Sequence, residues 1–291
     1  MESLPESRWH ALRAAHESRV QPWIAPRLER TSRQEKHPVE DFLFEYYPYR
    51  SSHLLRWHPG LSRALQGESA REFLSNKNYR ASPGGIAADP STLPEQRLEF
   101  PRWLRQFLQA TATRPAAFGC FGLHEWAMLY RTPETRHAEW PLRLTPDEIA
   151  RTVEAHSLRC THYDAFRFFT PAARPLNKVQ PERAKAAEFD QSGCLHANMD
   201  LYKWAFKLAP FTPSELVADT FELARDIRTL DMRASPYDFR SISYEPVRIE
   251  EAEGRAEYER LQRQFAERAV PLRAQLITLC DNLLETAAEL V

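Results

Sequence analysis

The chain has 291 residues, 43% of them hydrophobic and 27% charged, with 39 Lys and Arg against 40 Asp and Glu. Near-balance of charge excludes the global basic field that many phosphate-neutralising proteins carry, and no apolar run approaches the ~20 residues of a membrane span. With 8 glycines, no G-x-G-x-x-G and no G-x-x-x-x-G-K-[ST], a dinucleotide fold and a P-loop are excluded as well.

The opening stretch "MESLPESRWHALRAAHESR" lacks the apolar core of a signal peptide, so the cytoplasm is the expected compartment. Residues 7–34 read as one or two amphipathic helices interrupted at Pro22 and Pro26. The aromatic segment "HPVEDFLFEYYPYR" follows, then a short helix broken at "HPG". "ASPGGIAADPSTLPEQ", 81–96, clusters turn residues without periodicity and reads as a loop or lid, with a two-domain split there as the alternative to one domain. Pro101 suits the first turn of a helix carrying Trp103, Leu104, Phe107 and Leu108, and a further helix includes "GLHEWAMLYR". Thr145 with Glu148 in "TPDE" and Thr212 with Glu215 in "TPSE" spell two capping boxes. "LRCTHYDAFRFF", 158–169, fits a strand or an extended entry to a helix. From about 250 to 290, apolar residues at helical spacing predict a C-terminal brace of two helices, or one kinked at Pro271. The expected fold is therefore mainly α, a single large helical domain over 1–291.

Polar residues concentrate in four apolar segments: His124, Glu125 and Arg131; His162, Asp164 and Arg167; His196, Asn198, Asp200 and Lys203; and Asp231, Arg233 and Tyr237. In "GCLHANMDLYKWAFKLAP" His196, Asp200, Lys203 and Lys207 recur at i, i+4, i+7 and i+11, a polar stripe on an otherwise apolar helix. A buried charge without a partner is costly, so these groups pair, bind something or meet water. A metal-free site would use Asp200 as base or orienter and His162 or His196 as proton carriers. Lys203, Arg167 or Arg233 would hold an anion, and Phe42, Phe44, Tyr46, Tyr47 and Tyr49 of the aromatic run could stack on a flat ring. A metal-dependent site acting on a small molecule would ligate a divalent ion through His124, His162, His196 and Asp200, the last two spaced i, i+4. If the polar groups only pair with one another, the protein is a non-catalytic binding protein. Four cysteines without a C-x-x-C pair argue against a disulfide framework; Cys120, Cys160 and Cys194 precede His124, His162 and His196 as small core residues or mixed ligands.

The segments "EKHPVEDFLFEYYPYR", "GCFGLHEWAMLYR", "THYDAFRFFTPAARP", "CLHANMDLYKWAFKLAP" and "LDMRASPYD" resemble a bacterial family labelled 3-methyladenine DNA glycosylase, over a span from about residue 20 to the C-terminus. The resemblance implies DNA repair without a cofactor: hydrolysis of the N-glycosidic bond of an alkylated purine in damaged DNA, with the base extruded onto Tyr49 and Trp126 and a carboxylate, Glu125, Asp164 or Asp200, stabilising the oxocarbenium-like transition state. The glycine-containing hairpin L-P-G-x-G of the helix-hairpin-helix glycosylases has no counterpart in this chain.

Overall fold

In the computed structural model, which describes residues 1–133, 135 and 139–288, the chain begins with β1 (Glu2–Leu4), α1 (Glu6–Ser32), α2 (Phe42–Tyr46), α3 (Ser51–Leu55) and β2 (Arg63–Leu65). It continues through β3 (Tyr79–Ser82), β4 (Gly85–Ala88), α4 (Glu95–Thr113), α5 (Leu123–Ala127), α6 (Pro146–Ala155), α7 (Tyr163–Phe166) and α8 (Ala186–Phe189). The last elements are α9 (Leu195–Lys207), α10 (Ser214–Arg233) and α11 (Ala252–Ala288). Helix accounts for 59% of the residues and strand for 6%, so the fold is mainly α. No helix among the described residues is long and apolar enough to cross a membrane.

Three helices run through prolines that the sequence reading treats as breaks or starts. Pro22 and Pro26 lie inside α1, Pro101 inside α4 and Pro271 inside α11. A proline in a helix interior costs ~3 kcal/mol, and burial outweighs it: α1 buries Trp9, His16, Val20 and Ile24 on one face. The C-terminal segment is accordingly one helix; residues 289 and 290 of the expected brace lie outside the described residues.

Of the two capping boxes, one forms. At the start of α6 the Thr145 hydroxyl accepts the Glu148 N–H at 3.3 Å, and the Glu148 carboxylate accepts the Thr145 N–H at 2.8 Å. At the start of α10, Thr212 is fully buried and its hydroxyl finds no partner among the described residues. Glu215 is drawn instead to Arg63 (3.2 Å) and the Trp57 indole N–H (3.4 Å), and the Ser214 hydroxyl accepts the His58 N–H at 2.8 Å. Tertiary partners have taken the groups that the motif would have used.

Residues 81–96 are largely ordered structure rather than a loop or lid. β3 and β4 form a hairpin across Pro83 and Gly84, and the four strands order as β1-β2-β4-β3, with β1 parallel to β2 and the other pairs antiparallel. Pro-Gly-Gly here is hairpin turn chemistry. Gly85 stands at φ +128, and a Cβ there would lie 2.3 Å from the Leu65 carbonyl oxygen, so the close approach of β4 to β2 demands glycine. The segment 158–169 is extended up to α7, its second expected form.

The chain groups into two units, the first made of Met1–Leu108, Asp200–Arg225 and Pro271–Val291, the second of Gln109–Met199 and Asp226–Val270. In the first, Trp9 is fully buried, donates its indole N–H to the Gln66 carbonyl at 2.9 Å and packs against Trp57 and Phe73. His58 lies beside these rings and exchanges a hydrogen bond with the Tyr79 hydroxyl at 2.9 Å. Burial, with the nearby Arg56 and His16, lowers its pKa to about 4.

Because an unfolded histidine titrates near ~6.5, the unfolded chain binds the extra His58 proton between about pH 4 and 6.5, and folding stability rises with pH across that window. Urea unfolding at pH 4.5 and 7 should show a smaller acid loss for His58→Asn than for the parent chain; equal losses would mean that His58 does not carry the linkage.

Candidate metal centre

In the second unit α5 begins after Gly122, which sits in the left-handed region at φ +67, and buries all five of its residues. Two of the five, His124 and Glu125, are ionisable and must find partners indoors. The last turns of α10 supply them. The Arg228 guanidinium donates to Glu125 at 3.2 Å and, one turn before its helix neighbour, to Asp231 Oδ2 at 3.3 Å. His124 Nε2 donates to Asp231 Oδ2 at 3.2 Å and stands 3.1 Å from Oδ1. Asp231 Oδ1 nevertheless accepts no well-formed hydrogen bond from any described residue, although its side chain is buried.

The first turn of α9 adds His196, whose ring stands edge-on to that of His124 at 4.4 Å between centroids. One donor atom from each of His124, His196 and Asp231 falls within 4.8 Å of the others. Behind His196, the His162 ring stacks at 5.5 Å and donates Nδ1–H to the Asp190 carboxylate at 3.1 Å.

Burial opposes the charge on His124, but the adjoining Asp231 carboxylate prevails and raises its pKa. Burial and the neighbouring His124 push His196 well below the usual histidine range, which leaves its ring nitrogens neutral. Burial likewise opposes ionisation of Asp231, and His124, His196 and Arg228 hold it well below the usual carboxylate range in spite of that.

His124 and His196 face a cavity of about 240 Å³. Cys120, Cys160 and Cys194 line it too, all free thiols, and burial pushes Cys160 up to about 12 and raises the other two. Cys120 is further held by the Gln262 amide, which also donates to the Gly193 carbonyl at 2.7 Å.

The sequence-nominated residues thus divide. His124, His162, His196 and Glu125 come together. Asp200 belongs to the first unit, where it is buried and accepts the Tyr47 hydroxyl at 2.6 Å and the Lys203 ammonium at 2.8 Å; the carboxylate grouped with the histidines is Asp231. Lys203 is committed to that ion pair and lies 4.3 Å over the Trp204 ring. Asp164 and Arg167 pair with each other at 3.0 Å on the surface, one helical turn apart. Arg233 donates to the Glu245 carbonyl at 2.7 Å and sits 3.6 Å from Glu257. Trp126 is fully buried with its N–H on the Ala234 carbonyl at 2.9 Å, and so presents no face to a base. Tyr49 spends its ring on Phe206, 4.0 Å away, and its hydroxyl on the Lys203 carbonyl.

Arg228 and Asp190 escaped the sequence reading. Arg228 sits three residues before Asp231 on an otherwise apolar helix face, and that spacing is the one local signal it left. Asp190, in "FDQSGC", left none. Compared with protein-family models, curated proteins and solved structures, the chain finds no match.

Replacing Arg228 with Ala leaves two buried carboxylates without their guanidinium, and loss of one partner of a buried pair typically costs ~3–5 kcal/mol. Urea unfolding should show a loss of that order, and a change below about 1 kcal/mol would mean that water reaches the carboxylates.

Proposed function

We propose that this chain is a metal-dependent hydrolase acting on a small molecule, with His124, His196 and Asp231 as the ligands of a divalent ion. The observation that carries the reading is the convergence of two imidazoles and a carboxylate with an unspent oxygen, His124 and His196 opening onto a cavity. Two histidines and one carboxylate suit zinc, or iron(II), with positions left for water or substrate. The charge count agrees: Glu125 and Asp231 contribute two negative charges against one from Arg228, and the surplus that raises the His124 pKa would equally favour an ion taking the place of the His124 proton. When bound, such an ion supplies an activated water or a polarised carbonyl.

The remaining groups have consistent parts. Arg228 holds Asp231 Oδ2, so that Oδ1, 3.1 Å from His124 Nε2, would be the oxygen to take the ion, as the partners of metal ligands commonly arrange. His162, oriented by Asp190 and stacked on His196, would fix the plane of that ligand's ring. Four free cysteines accord with a cytoplasmic setting.

The reaction implied by the resemblance, N-glycosidic hydrolysis in damaged DNA, ranks below this one. Each carboxylate nominated for it is engaged by a cation: Glu125 by Arg228, Asp164 by Arg167 and Asp200 by Lys203. Release of free base from methylated DNA is the assay that would restore it.

Elemental analysis by inductively coupled plasma mass spectrometry should find close to one zinc, iron or manganese per chain, falling to background in His196→Ala and Asp231→Asn. Absence of metal in the parent protein, even after incubation with each ion, would overturn the proposal.

A further inference from the structure

The cavity in front of His124 and His196 has a one-sided charge. Among its described lining residues no carboxylate occurs, and the side chains with a permanent charge are Arg159 and Lys178, both exposed. Neither side chain makes an ion pair with any described residue, unlike Arg167 and Lys185 nearby in the sequence, which pair with Asp164 and Glu182. The rest of the lining carries no permanent charge, and Phe118, Leu123, Leu158, Leu195 and Tyr258 are among its apolar or aromatic members.

The two chain segments that carry these cations are tied together by a buried device. Asn177 is 4% exposed, and its side-chain oxygen accepts the Cys160 N–H at 2.7 Å while its amide donates to the Cys160 carbonyl at 2.9 Å and the Val179 carbonyl at 2.6 Å. The Lys178 N–H donates to the Leu158 carbonyl at 3.0 Å. One asparagine and one backbone bond therefore tie the strand of chain carrying Arg159 to the strand carrying Lys178, and bring two like charges to one rim. Like charges brought together raise each other's energy unless an anion sits between them.

We propose that the substrate of this cavity is a small organic anion, with a carboxylate or phosphate head gripped by Arg159 and Lys178 and an apolar body lying toward His124 and His196. The forked guanidinium matches either head group bidentately, and the ammonium adds a point charge. A cavity of 240 Å³ lies below the ~300–1,000 Å³ of sites for drug-sized ligands, which limits the body to about the size of one aromatic ring. The inference rests on reading this cavity as the active site and names the substrate class of that site.

Isothermal titration calorimetry with benzoate, phenyl phosphate and the neutral benzamide tests it, on the parent protein and on the Arg159→Gln/Lys178→Gln double variant. At least one of the two anions should bind tenfold or more tightly than benzamide, and the double variant should lose that margin while keeping its urea midpoint. Which anion binds better distinguishes a carboxylate from a phosphate substrate. Benzamide binding as tightly as both anions, no binding by either anion, or undiminished anion affinity in the double variant would each overturn the inference. Metal content measured on the same samples separates the two readings: a protein without metal whose anion affinity still falls in the double variant overturns the metal centre and supports the anion rim.

Discussion

The second unit depends on one electrostatic bargain, the burial of Glu125 and Asp231 around a single guanidinium. Two carboxylates taken out of water would be intolerable without Arg228, and Arg228 would be equally so without them. The arrangement dictates much of what surrounds it. Arg228 and Asp231 lie one turn apart on α10, so that helix must present its polar residues inward, and α5 must deliver Glu125 and His124 from a helix only five residues long. Hydrophobic pairs of the same shape would fold at least as well, so a buried ionic cluster of this kind is weak evidence for stability as its purpose. What the burial does fix is the relative placement of Asp231 and the two imidazoles of His124 and His196.

The polar stripe on α9 turns out to serve two masters. His196 at its start belongs with His124 and Asp231, while Asp200, one turn later, accepts from Tyr47 and Lys203 in the first unit. Burial and the Asp200 charge push the Tyr47 hydroxyl well above the usual tyrosine range, so it stays a donor at every physiological pH. Asp200 is thereby satisfied from two sides. A regular i, i+4 spacing on one helix says that two side chains share a face; it does not say that they share a partner.

That distinction measures how far the sequence could be read. Mainly helical character followed from apolar periodicity, and the Thr145 box formed because its groups are exposed and have no competing partners. The box at Thr212 failed where competition existed, with Arg63 and Trp57 claiming Glu215 from residues about 150 positions away. The four-stranded sheet escaped notice because strands of three or four residues, rich in alanine, are too short for alternation to show. At the site, His124, His162 and His196 were legible as polar residues in apolar context. Their carboxylate was misassigned to Asp200, and Arg228 and Asp190 became visible only when distant segments met. Local chemistry is written locally, whereas the pairing of buried charges is a property of the fold.

The thiols along the cavity bear on the durability of this site. A thiolate, not a thiol, attacks electrophiles and is readily oxidised, and Cys120, Cys160 and Cys194 are all held toward the protonated form by burial. Sulfur therefore lines the chamber as a soft, polarizable and nearly inert surface. Such a wall adapts its contour to whatever it encloses while presenting little thiolate to it.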